Sequence, residues 1–389
     1  MNNFLRLLLY IAIFSLCFPL NRFIPGVFTA IMSILLVVTL INIKKVDIKN
    51  ISKYLLYYIL LLIYLFFNWL FLGQSDRGWQ DLQKFSLIIV LIIVLFGQIR
   101  TKDDLYNVSL VWIIAVILNT FLGVYEAFNG TYIAKMSERY EFFVDSALRF
   151  IPYDFEPNYL QINLAPALIL SYFYFKNNLQ NKSSWFFIAF IIIVIEYFLT
   201  VSKTAFLTII LLIPFYFLAG VKSVLFRKYT TVLIIVIMMI LSIYNIDFSI
   251  FSYNLERYSD LFSGDTSKIM THRDKLFETA FSFFLDFPLF GLGLGNVTEY
   301  MGLNFNEGQN TTHNTFLHML AETGLVGFII YMSCLISFSN IKLYSKLNAY
   351  QVACIVCIIP LSNVTGTYYL AFWVLLILTA ISIKLKVDA

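Results

Sequence analysis

The stretch THRDKLFETAFSFFLDFPLFGLGLGNVTEYMGLNFNEGQNTTHNTFLHMLAETGLVGF, residues 271–328, gathers charge, glycine and histidine beside an apolar run able to enter a membrane. Leu276, Phe277, Ala280, Phe281, Phe284 and Phe287 recur at helical spacing, and Thr271 and Asp274 suit the N-cap and N3 positions of a capping box. Pro288 closes the pattern, so a helix over about 272–286 is expected. Its aromatic face suits a helix lying flat in the headgroup layer or packed on a bundle. The run Gly291-Leu-Gly293-Leu-Gly295 lacks both the GxGxxG spacing and the Lys-Ser/Thr of a phosphate loop. It suits a tight turn in which backbone approaches another surface. A polar loop then delivers His313 to the mouth of the next apolar segment.

Working outward, the whole chain is membrane-like. Hydrophobic residues make up 60% of its 389 positions and charged ones only 13%, with a mean hydropathy of +0.80. Continuous apolar runs match the length a helix needs to cross ~30 Å of hydrocarbon, and their lack of alternation excludes a β-barrel. The expectation is an all-α integral membrane protein, one polytopic domain over residues 1–389, with about 12 transmembrane helices. The twelve spans are Phe4 to Leu20, Phe23 to Ile43, Tyr54 to Leu72, Phe85 to Ile99, Leu105 to Phe128 and Pro157 to Phe175, then Trp185 to Val201, Thr204 to Val221, Tyr229 to Phe248, Asn314 to Ser339, Ala349 to Val364 and Thr367 to Ile383. The first span has no small-residue cleavage site, and further spans follow at once, so it is expected to stay as an anchor.

Basic residues set the orientation. Arg6, Lys44, Lys45, Lys49, Lys53, Arg100, Lys102, Lys176, Lys182, Lys222, Arg227, Lys228, Lys342, Lys346, Lys384 and Lys386 all fall on one side, against four acids, Asp47, Asp103, Asp104 and Asp388. Both termini are then cytoplasmic, and the long loops 129–156 and 249–313 are extracytoplasmic. The net charge of +4 reports this topology and no nucleic-acid partner. Cys17, Cys334, Cys354 and Cys357 all lie in apolar spans, and Cys354/Cys357 has no second ligand pair for a metal.

Polar residues within spans need a reason. Glu196 and Lys203 are seven apart, on one helical face; Lys203 either snorkels to the outer interface or is held there as a fixed cation in the Ser-Lys-Thr turn at 202–204. Arg273, at the start of the loop helix, is either an ion-paired loop charge or joins free backbone N–H groups in holding an anion. His318 and Glu322 are four apart and suit a hydrogen bond within the bundle. His313, beside Asn314 at the head of its span, is the better base, since an imidazole accepts protons near neutral pH. Gly324 and Gly327 suit close packing beneath it.

These residues carry a resemblance. Arg273, PLFGLGLGN at 288–296 and HNTFLHMLAETGLVG at 313–327 resemble the O-antigen ligase/polymerase superfamily, as do Glu-Pro-Asn-Tyr at 156–159 and Ser-Lys-Thr at 202–204, where that family commonly has Ser-Arg-Thr. The resemblance implies a GT-C-like membrane glycosyltransferase of the bacterial inner membrane, working on the periplasmic side. Its donor would be an oligosaccharide on undecaprenyl pyrophosphate, its acceptor a glycan or lipid-linked hydroxyl, with membrane lipid and a chain-length regulator protein as further partners and no cofactor. The chemistry needs positive charge at the leaving diphosphate and a base at the attacking hydroxyl. Arg273 and Lys203 suit the first role, with Arg139 and Arg149 as further donor contacts, and His313 suits the second. Asn314, His318, Glu322 and Asn158 are expected to support them. No DxD occurs in the chain, so no metal is expected. Polysaccharide polymerase is the favoured activity, O-antigen ligase the alternative within the family, and a secondary transporter the alternative outside it, with Glu196 its main support.

Overall fold

The computed structural model describes residues 3–18, 20, 24, 26–42, 48–128, 157–177, 183–200, 204, 208, 274–304, 311–340, 347–362, 364, 365, 367 and 369–387. Among them the chain is all helix: α1 (Asn3–Cys17), α2 (Val27–Ile41), α3 (Ile48–Leu72), α4 (Asp76–Gln98), α5 (Lys102–Phe128), α6 (Pro157–Lys176), α7 (Ser183–Leu199), α8 (Asp274–Asp286), α9 (Asn296–Asn304), α10 (Thr315–Ser339), α11 (Ala349–Leu361) and α12 (Leu370–Lys384). Ten of these helices lie on expected spans. The spans Thr204 to Val221 and Tyr229 to Phe248 fall outside the described residues, apart from Thr204 and Thr208. Helices α8 and α9 belong to the long loop, the first where its aromatic spacing put it, the second not anticipated.

Among the described residues four helices are long and apolar enough to cross a membrane, over Ile51–Leu72, Asp76–Gln98, Lys102–Tyr125 and Thr315–Ser339, and five shorter apolar helices accompany them. The chain is a multi-pass membrane protein. At its centre stands α12, every residue of which from Ala371 to Ser382 is buried, as an all-round apolar helix requires. It packs against α4, α6, α10 and α11. Tyr58, Tyr331 and Phe338 lay their rings edge-on to its Trp373.

Helix α4 begins nine residues before the expected span. Ser75 caps it, accepting from the Gly78 N–H at 3.0 Å, and Asp76 in the first turn suits the helix dipole. Hydropathy marks only the hydrocarbon-depth part of such a helix, whereas the backbone hydrogen bonds run on through the polar interface.

The element that positions the site is a break in α10. At Gly324 the backbone takes φ 63° and ψ −169°, inside what the apolar pattern presents as one continuous span. In an unbroken helix the Leu325 and Val326 N–H groups would bond to the Ala321 and Glu322 carbonyls. Instead Leu325 donates to Pro288 O at 2.9 Å and Val326 to Leu289 O at 3.2 Å, while Ala321 O and Glu322 O accept from Leu292 and Gly293, each at 2.9 Å. The Thr323 carbonyl accepts from the Tyr64 hydroxyl at 2.5 Å. The segment Pro288–Gly293 thus replaces the lost turn group for group. Such replacement is what allows irregular backbone at membrane depth.

Helix α8 packs on α10 through Leu276 and Ala280, which form a second small core with Val297, Met301 and Ala321. Its other face leaves Phe281 and Leu285 exposed, and Phe287 and Leu289 beyond it are exposed too. Packing on the bundle and an exposed apolar side are therefore combined in one helix.

A side chain at the break has no room. A Cβ on Gly324 would stand 2.4 Å from the Leu289 carbonyl carbon, and one on Gly291, at φ 73°, 2.4 Å from that of Glu322. Gly324→Ala and Gly291→Ala are expected to lower stability by more than the ~1–2 kcal/mol of a left-handed L-residue alone. Gly302→Ala, on the exposed face of α9, is expected to be neutral or mildly stabilising. Thermal unfolding in detergent checks this, and equal midpoints for all three variants would contradict it.

Candidate active site

Asn314 is the N-cap of α10. With φ −148° and ψ 111°, its side-chain oxygen accepts from the Phe316 and Leu317 N–H groups at 3.0 Å each. A cap of this kind stabilises a helix by roughly 1 kcal/mol, and it fixes the direction in which the chain enters. His313, immediately before it, is half-buried and has φ 49°. That left-handed conformation is unfavourable for a residue with a Cβ and is kept only where the surroundings over-determine it.

The surroundings do so. The Thr312 hydroxyl donates to Asn314 O at 2.9 Å and accepts from Asn314 N at 3.3 Å, spanning His313. It also lies 3.4 Å from the Thr365 hydroxyl. On the helix side of His313, Thr315 donates to Val364 O at 2.7 Å. Tyr159, in the first turn of α6, donates to Thr365 O at 2.8 Å, and its ring packs on Tyr369. Asn158 lies in the same turn of α6. Tyr159 and the His-Asn turn, more than 150 residues apart, are therefore linked through Thr365 in the α11–α12 connection.

One turn into α10 lies a second polar group. His318 Nε2 is 3.3 Å from Glu322 Oε1 and 3.5 Å from the Thr298 hydroxyl, with both His318 and Glu322 only 2% exposed. The same Glu322 oxygen accepts from the Gly295 N–H at 3.0 Å. The pairing expected from i,i+4 spacing is present, and the acid does more than face the histidine: it ties the glycine turn to α10. Asn68 holds the turn from the other side, donating to Phe290 O at 2.7 Å and accepting from Leu294 N at 2.8 Å.

Helix α4 contributes charges not foreseen as part of the site. Asp81, 2% exposed, lies 3.0 Å from Lys84 Nζ and 3.7 Å from Arg77 Nε. Glu299 accepts from the Arg77 backbone N–H at 3.4 Å. Asp81 thus gathers the Arg77 and Lys84 side chains, and Glu299 holds the Arg77 backbone. The i,i+4 and i,i+3 spacing of Arg77, Asp81 and Lys84 was a visible signal in sequence; the long-range partners were not.

The other predicted residues divide in two. Arg273, Lys203, Arg139 and Arg149 lie outside the described residues, and so does the proposed capping box at Thr271. Glu196 is fully buried on α7 and bonded to the Thr120 hydroxyl of α5, while Thr200, one turn on, accepts from Gln161 of α6 at 3.2 Å. Glu196 thus ties α7 to α5, and Thr200 ties the end of α7 to α6.

Removing the Glu322 carboxylate while keeping an acceptor is expected to be tolerated. Glu322→Gln should keep most of the stability that Glu322→Ala loses, since alanine strands the buried Gly295 N–H at about 1–3 kcal/mol. Unfolding midpoints in detergent check this, and equal losses for both variants would contradict it.

Residues 185–332 match a family described as O-antigen ligase, a region that takes in the glycine turn, the break in α10 and the His-Asn turn. No curated protein matches the chain.

Proposed function

We propose, from the membership of residues 185–332 in the O-antigen ligase family, that this membrane enzyme transfers a glycan en bloc from a lipid diphosphate to an acceptor hydroxyl on the extracytoplasmic side. The observation that carries the reading is His313. It is held half-buried in a strained conformation at the mouth of an apolar helix, inside the matched region, which is the pattern of a residue kept for chemistry. Its imidazole accepts the proton of the attacking hydroxyl as that oxygen bonds to the anomeric carbon. The bond from that carbon to the diphosphate oxygen breaks, and the electron pair leaves with the lipid diphosphate. Arg273 and Lys203 are the cations assigned to that developing charge, with Arg139 and Arg149 as further donor contacts. Displacement of this kind inverts the anomeric centre. A glycan-length polymerase, whose acceptor is another lipid-linked repeat unit, is favoured over a ligase acting on lipid A core.

His313→Ala in a deletion strain is expected to lower transfer by about 10²- to 10⁴-fold. Surface glycan resolved as a ladder checks this: loss of long chains with one unit still attached marks a polymerase, and loss of all attached glycan marks a ligase. An unchanged ladder would overturn the reading. Transfer by the purified enzyme is also expected to persist in EDTA. Loss of activity restored by Mg²⁺ or Mn²⁺ would overturn that part.

A further inference from the structure

We infer that Tyr159, Thr312 and Thr365 are positioning residues that hold the imidazole of His313 in its working direction, an assignment that rests on the base role proposed above. Three observations converge on it. First, the His313 backbone is left-handed, a conformation that an L-residue leaves unless held. Second, the Thr312 hydroxyl closes a small ring across His313 through both the N–H and the carbonyl of Asn314, so the two peptide units flanking the histidine cannot turn independently. Third, this ring is fixed from outside: Thr312 meets Thr365 at 3.4 Å, and the Thr365 carbonyl is held by Tyr159 at 2.8 Å. Thr312 and Thr315 are fully buried and Thr365 nearly so, so water does not compete for these hydroxyls.

The Asn314 cap fixes the start of α10 but not the rotation of the residue before it. That rotation is what Thr312 sets. Tyr159 transmits it to α6, outside the matched region 185–332, so the His-Asn turn depends on a helix that the family match does not include. Because the reaction needs the ring nitrogen within hydrogen-bond reach of a hydroxyl, a displacement of about 1 Å is enough to cost up to ~10²-fold in rate.

The test uses the full-length enzyme in nanodiscs with lipid-linked repeat units extracted from the deletion strain, and measures initial rates against donor concentration. Thr312→Val and Tyr159→Phe are each expected to lower kcat by about 10- to 100-fold with KM for the donor changed less than about twofold. Thr312→Ser, which restores the hydroxyl, is expected to recover activity to within about threefold of wild type. Thr312→Val added to His313→Ala is expected to cost nothing further, since there is no longer an imidazole to aim. If Thr312→Val does not yield folded protein, Tyr159→Phe, which removes a single oxygen, decides the matter. Wild-type kcat in Thr312→Val and Tyr159→Phe beside an inactive His313→Ala would overturn the positioning role and leave the base standing. Wild-type activity in His313→Ala would overturn the base itself.

Discussion

The structure depends on an exchange of backbone hydrogen bonds. Where α10 breaks at Gly324, two carbonyls and two N–H groups lose their helical partners, and the segment Pro288–Gly293 supplies all four. At membrane depth water cannot make up such a loss, and each unmet group would cost several kcal/mol. The break and the loop therefore require each other. Once they are joined, Gly295 reaches Glu322, Asn68 grips the turn from α3, and α8 and α9 are drawn onto the upper part of α10. The part of the bundle around the glycine turn is built on that exchange.

From it follows a division of labour along α10. In the lower polar group, His318, Glu322 and Asp81 are each only 2% exposed, and Glu322, paired with His318, holds the glycine turn through the Gly295 N–H. The upper group, with His313, carries strain and partial exposure. A buried histidine and a half-buried one thus stand five residues apart, the first within α10 and the second just before its cap.

Much of this was legible in the sequence. Ten described helices lie on apolar runs, because a helix in lipid must be apolar over a fixed length. The loop helix was visible from its aromatic spacing, and the His318–Glu322 contact from its i,i+4 separation. What sequence concealed was tertiary in origin. Gly324 resembles any packing glycine until Pro288–Gly293 is laid beside it. Asp76 to Lys84 reads as a polar loop until Ser75 caps it and Asp81 gathers Arg77 and Lys84. Tyr159 stood in a recognised motif, but its partner is a backbone carbonyl at Thr365, and no periodicity encodes that distance.

The proposed chemistry requires the convergence of base and cations at one face of the membrane. An experimental structure with the lipid diphosphate donor bound measures it directly. The predicted result places the Arg273 guanidinium and the Lys203 ammonium on the diphosphate, with the His313 imidazole turned toward the anomeric carbon across a gap that fits one hydroxyl. An imidazole more than about 15 Å from both cations, with the donor in place, would contradict it.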